Sequence, residues 1–229
     1  MSLKRLRLVV LMVLCVAAGF AQSKKPPVIS MKEFTSVKIW ALDITWQAED
    51  SFENGDFQAK LKLTASGRFY LKRLDRQDAW GRWEGQKAHS TNLSYTAHLL
   101  DKRNGQRLDY KGGLEEPLMA VANFQVGGET PGYQLVCQLM FPAQVTGSGM
   151  GSMLSPLTLL TTELGQKPRF CAGPLPASGT TISGSTVNIA DIPPFGTSAV
   201  PKTRVGIQYV LQPVIELAPL KPVKAGRKG

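Results

Sequence analysis

The sequence is poor in the side chains from which most enzyme and metal sites are built. Only two histidines and three cysteines occur among 229 residues. Neither His89 nor His98 has a second His or a Cys at metal-ligand spacing. The HExxH, Walker, GxSxG and CxxC motifs are all absent. Because no nucleophile, base and orienting residue occur together, we predict a non-enzymatic protein with no metal and no cofactor.

Three weaker patterns each have two interpretations. The glycine-rich stretch 147–152 could form a phosphate cradle, but it lacks GxGxxG spacing, which favours a flexible hinge. Four acidic residues surround one predicted turn and could bind calcium or act as paired carboxylates; without EF-hand spacing a solvated turn is favoured. These residues are Glu49, Asp50, Glu53 and Asp56. The Asn92 sequon matters only in a eukaryotic secretory route. A hydrolase that gathers distant carboxylates is our third-ranked hypothesis.

No apolar run is long enough to span a bilayer, which requires roughly 20 residues. The run at 8–20 follows three basic residues and ends in Gly19-Phe20-Ala21, where small residues occupy the positions that a signal peptidase recognises. We therefore predict a signal peptide at 1–21, cleaved after Ala21, and an exported, periplasmic or secreted protein. No transmembrane segment is expected after processing.

The formal charge of +10 is concentrated near the chain ends. The predicted signal peptide holds three basic residues, and Lys24, Lys25 and the four basic residues of 221–229 add six, so that 18 basic and 17 acidic residues remain elsewhere. This near-neutral middle argues against nucleic-acid binding. We predict a basic, disordered tail at 221–229. Its alternative role is weak attraction to an anionic surface, worth at most about 1 kcal/mol per basic residue.

Most of the chain alternates apolar and polar residues with a period of two, which is typical of half-buried β-strands. The stretches at 40–46, 57–63, 93–99, 118–126, 133–141 and 205–211 follow this pattern. Turn signals occur at Asn54-Gly55, Ser66-Gly67 and Asn104-Gly105. We predict an all-β fold, an antiparallel meander that forms a curved sheet, barrel or sandwich. An extended leader at 22–36 precedes a single β-rich domain at 37–220, with a possible subdivision near 147.

One segment departs from the β pattern. Ser155 is suited to cap a helix and Pro156 to begin it, while Gly165 is suited to end it. We predict one short helix at about 156–164, packed on the sheet. In an oxidising compartment Cys137 and Cys171 are predicted to form a structural disulfide. A reactive thiol or a metal ligand would need a neighbouring His or Cys, which we do not find.

The stretch 66–85 has the highest density of aromatic and basic residues. A β-hairpin with a turn near 75–78 is one interpretation, and a stacking platform with cationic flanks for an anionic amphiphile or a sugar is the other. Trp80 and Trp83 are three residues apart, so a regular strand would place them on opposite faces. One of them therefore needs a special explanation, such as a bulge at Gly81 or exposure at a rim.

Two short motifs resemble those of known families. Gly81-Arg82-Trp83 is similar to the Gly-x-Trp of lipocalins. The stretches 67–76 and 104–110 resemble strand and hairpin patterns of periplasmic lipoprotein carriers and related lipid-binding proteins. The second resemblance implies a strongly curved antiparallel sheet whose apolar hollow is covered by helices and holds acyl chains.

Our first functional hypothesis is an exported β-protein that binds an apolar or amphipathic ligand such as lipid, with helix 156–164 as a cover. The residues expected to line the ligand are Trp40, Trp46, Phe69, Leu71, Trp80 and Trp83. The alternative is a structural or interaction module of the cell envelope with a filled core and no ligand. An interior apolar cavity of about 300 Å³ or more would favour the first hypothesis.

Overall fold

The alternating sequence folds into eleven β-strands that belong to one sheet. A computed structural model describes residues 35–74, 81–113, 116–127, 132–148, 150–161, 171–174 and 181–214. Their strands are β1 (Ile39–Glu53), β2 (Phe57–Arg73), β3 (Gly81–Gly85), β4 (Ala88–Asp101), β5 (Gln106–Gly112), β6 (Met119–Gly127), β7 (Gly132–Gly147), β8 (Met150–Leu160), β9 (Cys171–Pro174), β10 (Ile182–Ala190) and β11 (Thr203–Pro213). Every pairing between them is antiparallel.

Several strands run end to end, so the sheet is a simple meander of long strands. β3 and β4 pair with successive parts of β2, and we call them together the β3–β4 strand. β6 pairs with β3 and β5 pairs with β4, and we call β5 and β6 together the β5–β6 strand. β8 and β9 likewise pair with β7. β11 joins β10 to β1 and so brings the end of the described chain back to its beginning. This order is the antiparallel meander that the turn spacing predicts.

The sheet curls until its two outer strands meet at a seam between β10 and β8. The contact at this seam is a side-chain hydrogen bond: the Asn188 Nδ2–H of β10 donates to Leu160 O of β8 over 3.2 Å. Asn188 is only 3% exposed. Across the interior, the hydroxyls of Tyr133 and Tyr209 lie 2.8 Å apart and link β7 to β11. The curled sheet therefore closes on itself as a barrel, with side chains joining its outer strands.

Inward-facing side chains of all the long strands form one hydrophobic core. β2 shows the pattern most clearly, because its residues alternate between buried and exposed along most of its length. The prediction of an all-β antiparallel meander is confirmed.

The predicted turn at Ser66-Gly67 is wrong, because β2 continues through both residues. A Cβ atom at Gly67 would lie 3.2 Å from side-chain atoms of both Leu139 and Phe69. This glycine therefore leaves room for core packing and does not reverse the chain.

The predicted helix at 156–164 is also wrong over 156–160, which belong to β8; residues 162–164 lie outside the described part. Leu157 and Leu159 are buried with a period of two, as in a strand. Thr161 N–H donates to Cys137 O, so these two residues form a hydrogen-bonded pair of the β7–β8 ladder. Hydrogen-bonded and non-hydrogen-bonded pairs alternate along an antiparallel ladder. Pro156 and its partner Pro142 therefore fall at a pair that exchanges no hydrogen bonds. Within the described ranges no helix is long and apolar enough to cross a membrane.

We expect Asn188→Ala to weaken the seam, because Leu160 O loses its side-chain donor in a buried position. The free energy of unfolding should fall by about 1–2 kcal/mol, measured by urea denaturation. Ser185→Ala, at an exposed position of the same strand, is the matched control and should change stability little. Equal stabilities of the two variants would contradict this role for Asn188.

Candidate functional site

The residues predicted to line a ligand lie inside the barrel and pack against one another. Trp40, Trp46, Phe69, Leu71 and Trp83 are each at most 2% exposed. Trp40 meets Trp83 edge to face at 6.3 Å between ring centroids and meets Phe124 at 5.5 Å. These aromatic contacts occupy the interior between β1, β3 and β6. Whether the five residues also touch a ligand stays a prediction.

Trp83 points inward, and Gly81 provides the space for its ring. A Cβ atom at Gly81 would lie 2.5 Å from the Trp83 ring, which no real side chain could tolerate without a shift. The Trp83 Nε1–H donates to Val37 O over 2.8 Å, so the chain at Val37 lies against the Trp83 end of the interior. The hairpin interpretation agrees with the pairing of β2 with β3. Trp80 and the turn near 75–78 lie outside the described residues.

The loop between β10 and β11, residues 191–202, reaches into the core. Its buried side chains are Ile192, Pro194, Phe195 and Val200. The Tyr95 hydroxyl of β4 donates to Pro193 O and ties the loop to the opposite wall. An ion pair of 2.9 Å between Lys202 and Asp191 holds the two ends of the loop together. The loop therefore fills space beside Tyr95 that an interior ligand would otherwise use.

The wall of the barrel is interrupted between the β3–β4 strand and the β5–β6 strand. Their ladder runs to Gly85–Ala122 on one side and resumes at Tyr95–Gly112 on the other. Between these points no described residue of 86–91 pairs with 116–121. A cleft of about 710 Å³ occupies the interruption, and we call it the wall cleft; it is bounded by 86–91 and 116–120.

Surplus residues in both neighbouring strands cause the interruption. Between Lys111 and Met119 the β5–β6 strand advances eight residues, while its partner β7 advances only four. On the other wall His89 is an extra residue, because the register of β4 with β2 shifts between Arg68 and Phe69. Such bulges bend a strand and end regular pairing. The two strands cannot stay paired where both carry extra residues.

The wall cleft combines a small apolar floor with polar and apolar rims. Ala88 and Ala120 are buried at its base, whereas Leu118 is 61% exposed on one rim. The His89 ring on the other rim packs against the exposed Tyr70, with 5.2 Å between ring centroids. Lys87 and Glu116, also lining the cleft, form no ion pair within the described part of the chain. An extended ligand could therefore meet apolar, aromatic and charged groups together.

The outer face of β1, β2, β4 and β5 is polar, and many of its charges are paired. Arg68 binds both carboxylate oxygens of Asp43 at 2.6 Å. His98 contacts Asp109 on the neighbouring strand, and both side chains are exposed on this polar face. Among the described side chains, no group of three His, Cys, Asp or Glu residues could hold a metal ion. This face has the character of a solvated surface.

The acidic residues of the first hairpin each have a local partner or face solvent. The Lys102 ammonium lies 2.7 Å from Glu53 and, through its hydrogen bond and its charge, lowers the pKa of that carboxyl group. Asp50 accepts a hydrogen bond from the Thr203 hydroxyl at 2.9 Å. Asp56 is exposed in the turn. The solvated-turn interpretation therefore agrees with the geometry.

The two cysteines predicted to pair lie near each other in register. Cys171 is aligned with Leu135 on β7, two residues from Cys137. Cys137 is buried, and its backbone N–H donates a hydrogen bond to the Thr161 hydroxyl oxygen over 2.8 Å. The side chain of Cys171 lies outside the described residues, so the disulfide stays a prediction.

The wall cleft was not predicted from the sequence. Leu118 belongs to the stretch 118–126, for which the sequence predicts a regular strand. The available signal is the loss of strict alternation at both places, since Leu118-Met119 are two apolar residues in succession and His89-Ser90-Thr91-Asn92 are four polar residues in succession.

The chain matches no protein-family model, no curated protein and no solved structure. The resemblances to lipocalins and lipoprotein carriers therefore stay predictions, and function must be argued from geometry.

We expect Tyr95 to make the fold sensitive to alkaline pH. Burial, and secondarily the neighbouring Tyr110, raises the pKa of Tyr95 above the ordinary value of about 10. Because the pKa of this tyrosine is higher in the folded protein than in the unfolded chain, its contribution to the free energy of unfolding is fully present below the unfolded-state pKa. That contribution is lost as the pH rises from the unfolded-state pKa towards the folded-state pKa. Unfolding by urea at pH 8 and pH 11 should show a loss of stability in the native chain and a smaller loss in Tyr95→Phe.

Tyr70→Phe, which alters an exposed tyrosine, is the control and should keep the full alkaline loss. The pH dependence is the diagnostic quantity, because Tyr95→Phe also removes the hydrogen bond to Pro193 at every pH. An identical alkaline loss in Tyr95→Phe and the native chain would disprove the assignment.

Proposed function

We propose that this chain is an exported, non-enzymatic β-protein of the cell envelope that acts by binding at its outer wall, with a filled core. The observation that carries this proposal is the packing of Trp40, Trp83 and Phe124 against one another inside the barrel. Large side chains in mutual contact leave no room for an acyl chain between them. Binding then has to take place outside, where the wall cleft is the largest of the described openings.

The location in an oxidising compartment rests on the predicted signal peptide at 1–21 and on the predicted disulfide. The register supports the disulfide, because it aligns Cys171 within two residues of Cys137 on a paired strand. Residues so related in neighbouring strands are diagonal neighbours. The predicted basic tail at 221–229 adds weak attraction to an anionic surface.

A second candidate function is the binding of an amphipathic ligand, such as a lipid, inside the barrel. The Trp46 Nε1–H favours it, because this group is buried and finds no acceptor among the described residues. A buried donor without a partner costs about 1–3 kcal/mol, which a ligand oxygen would recover. The two candidates differ in whether the interior tryptophans respond to a ligand.

We expect the exported protein to contain a Cys137–Cys171 disulfide. Peptide mapping by mass spectrometry without reductant, after blocking free thiols, should recover the two cysteine peptides joined. Cys171→Ser should lower stability by about 3–4 kcal/mol on the chain-entropy model of loop closure. Recovery of both peptides as separately alkylated thiols from envelope-derived protein would disprove the pairing and remove the main support for an oxidising compartment.

We expect the filled core to bind no lipid. Native mass spectrometry of protein purified from its own envelope should show the mass of the processed chain alone, because the described interior side chains pack against one another and leave no space for an acyl chain between them. Titration with sodium dodecanoate should leave the tryptophan emission unchanged, since Trp40, Trp46 and Trp83 stay in their packed positions.

Trp46→Phe provides the control for the titration, because it removes the unpartnered N–H and keeps an aromatic ring. A co-purifying lipid, together with an emission change on dodecanoate addition that Trp46→Phe reduces, would overturn the filled-core proposal and establish the second candidate.

A further inference from the structure

One wall of the cleft exposes backbone groups that an added strand could pair with. Lys102 N–H donates to Asp56 O, which makes this a hydrogen-bonding pair of the β2–β4 ladder. Hydrogen-bonding and non-hydrogen-bonding pairs alternate along an antiparallel ladder. Thr91, aligned with Gly67, therefore falls at a pair whose N–H and C=O point away from β2. They face the wall cleft, where no described residue pairs with them.

On the opposite wall, Leu118 turns its N–H away from the cleft. Leu118 N–H donates to Met140 O of β7, over 2.6 Å. The side chain of Leu118 is exposed at the rim, and the buried Ala120 lies beneath it. Thr91 thus offers backbone hydrogen bonds on one wall, and Leu118 and Ala120 offer apolar side chains on the other. Extended peptides are recognised by this combination, since the main chain supplies affinity and alternate side chains supply specificity.

The charges of the cleft are complementary to a peptide that carries both signs. Lys87 lies on the backbone-exposing wall and Glu116 on the opposite wall, and within the described ranges neither has an ion-pair partner. A bound segment with an acidic side chain towards Lys87 and a basic one towards Glu116 would satisfy both. The small floor residues Ala88 and Ala120 leave room for small apolar side chains between these charges.

We propose that the wall cleft binds an extended segment of a partner protein, which pairs with Thr91 as an added strand. The segment places small apolar side chains over Ala88 and Ala120. It presents an acidic residue to Lys87 and a basic residue to Glu116. The proposal rests on the proposed function, because it names the kind of partner that a filled barrel binds at its outer wall.

The test uses the processed full-length protein and a random octapeptide display library, followed by the recovered peptides in solution. Recovered sequences should carry small apolar residues at alternate positions together with one acidic and one basic residue. Thr91→Pro removes the N–H that faces the cleft without removing a bond to β2, and it should weaken binding about tenfold or more. Thr91→Val keeps the N–H and the branched shape, and should bind within about threefold of the native chain.

A second variant keeps the test decisive if Thr91→Pro does not fold. Lys87→Glu combined with Glu116→Lys changes only exposed charges and should select peptides with the acidic and basic positions exchanged. Equal binding by the Pro and Val variants, or unchanged peptide selection by the charge-exchanged variant, would overturn the strand-docking proposal.

Failure of this proposal can be separated from failure of the proposed function. If no peptide is recovered but dodecanoate shifts the amide resonances of 86–91, the ligand of the wall cleft is an amphiphile and not a peptide. The strand-docking proposal is then wrong, while the proposal of binding at the outer wall stands. Lipid inside the barrel would instead be seen by native mass spectrometry and by the emission of the buried tryptophans.

Discussion

The packing of Trp40 against Trp83 and Phe124 is the contact on which the architecture and the functional argument both depend. These three rings come from three different strands and fill the space between β1, β3 and β6. Their burial fixes which face of each strand points inward, because a shift of one residue would turn every ring towards solvent. On the filled-core proposal, the same packing denies space to an acyl chain, and the outer wall is then the place where binding is expected.

Regular alternation predicts most of this fold, and the errors occur where one residue has a role that composition does not reveal. Gly67 has the sequence signal of a turn, yet it lies in a straight strand because Leu139 and Phe69 pack over it. Pro156 has the signal of a helix start, yet it pairs with Pro142 at a position where neither needs an N–H. Both outcomes depend on a partner more than ten residues away. Local propensity cannot encode such partners.

The candidate site was beyond sequence reasoning for a related reason. The wall cleft exists because extra residues near His89 coincide with extra residues before Met119 on the adjacent strand. Each irregularity alone would be an ordinary bulge. Only the pairing register of the strands places these two irregularities opposite each other. That register depends on the pairing of every neighbouring strand, which a single stretch of sequence does not contain. Trp40 and Trp46, in contrast, could be assigned to the interior from their spacing, but not to a packed core or a ligand cavity.

Two coincident surplus segments in one barrel wall are difficult to explain as packing devices. A filled barrel is more stable when its wall is continuously paired, because each buried ladder bond left unmade costs free energy. Thr91 gives up such a bond, and Leu118 keeps a large apolar side chain in solvent nearby. Exposed strand edges are ordinarily blocked, since they invite pairing with other chains. Here the edge lies beside the wall cleft, opposite the rim that carries Leu118. On the strand-docking proposal this recess admits a single extended segment and excludes the edge of another sheet, which is the property that would distinguish a recognition site from an aggregation hazard.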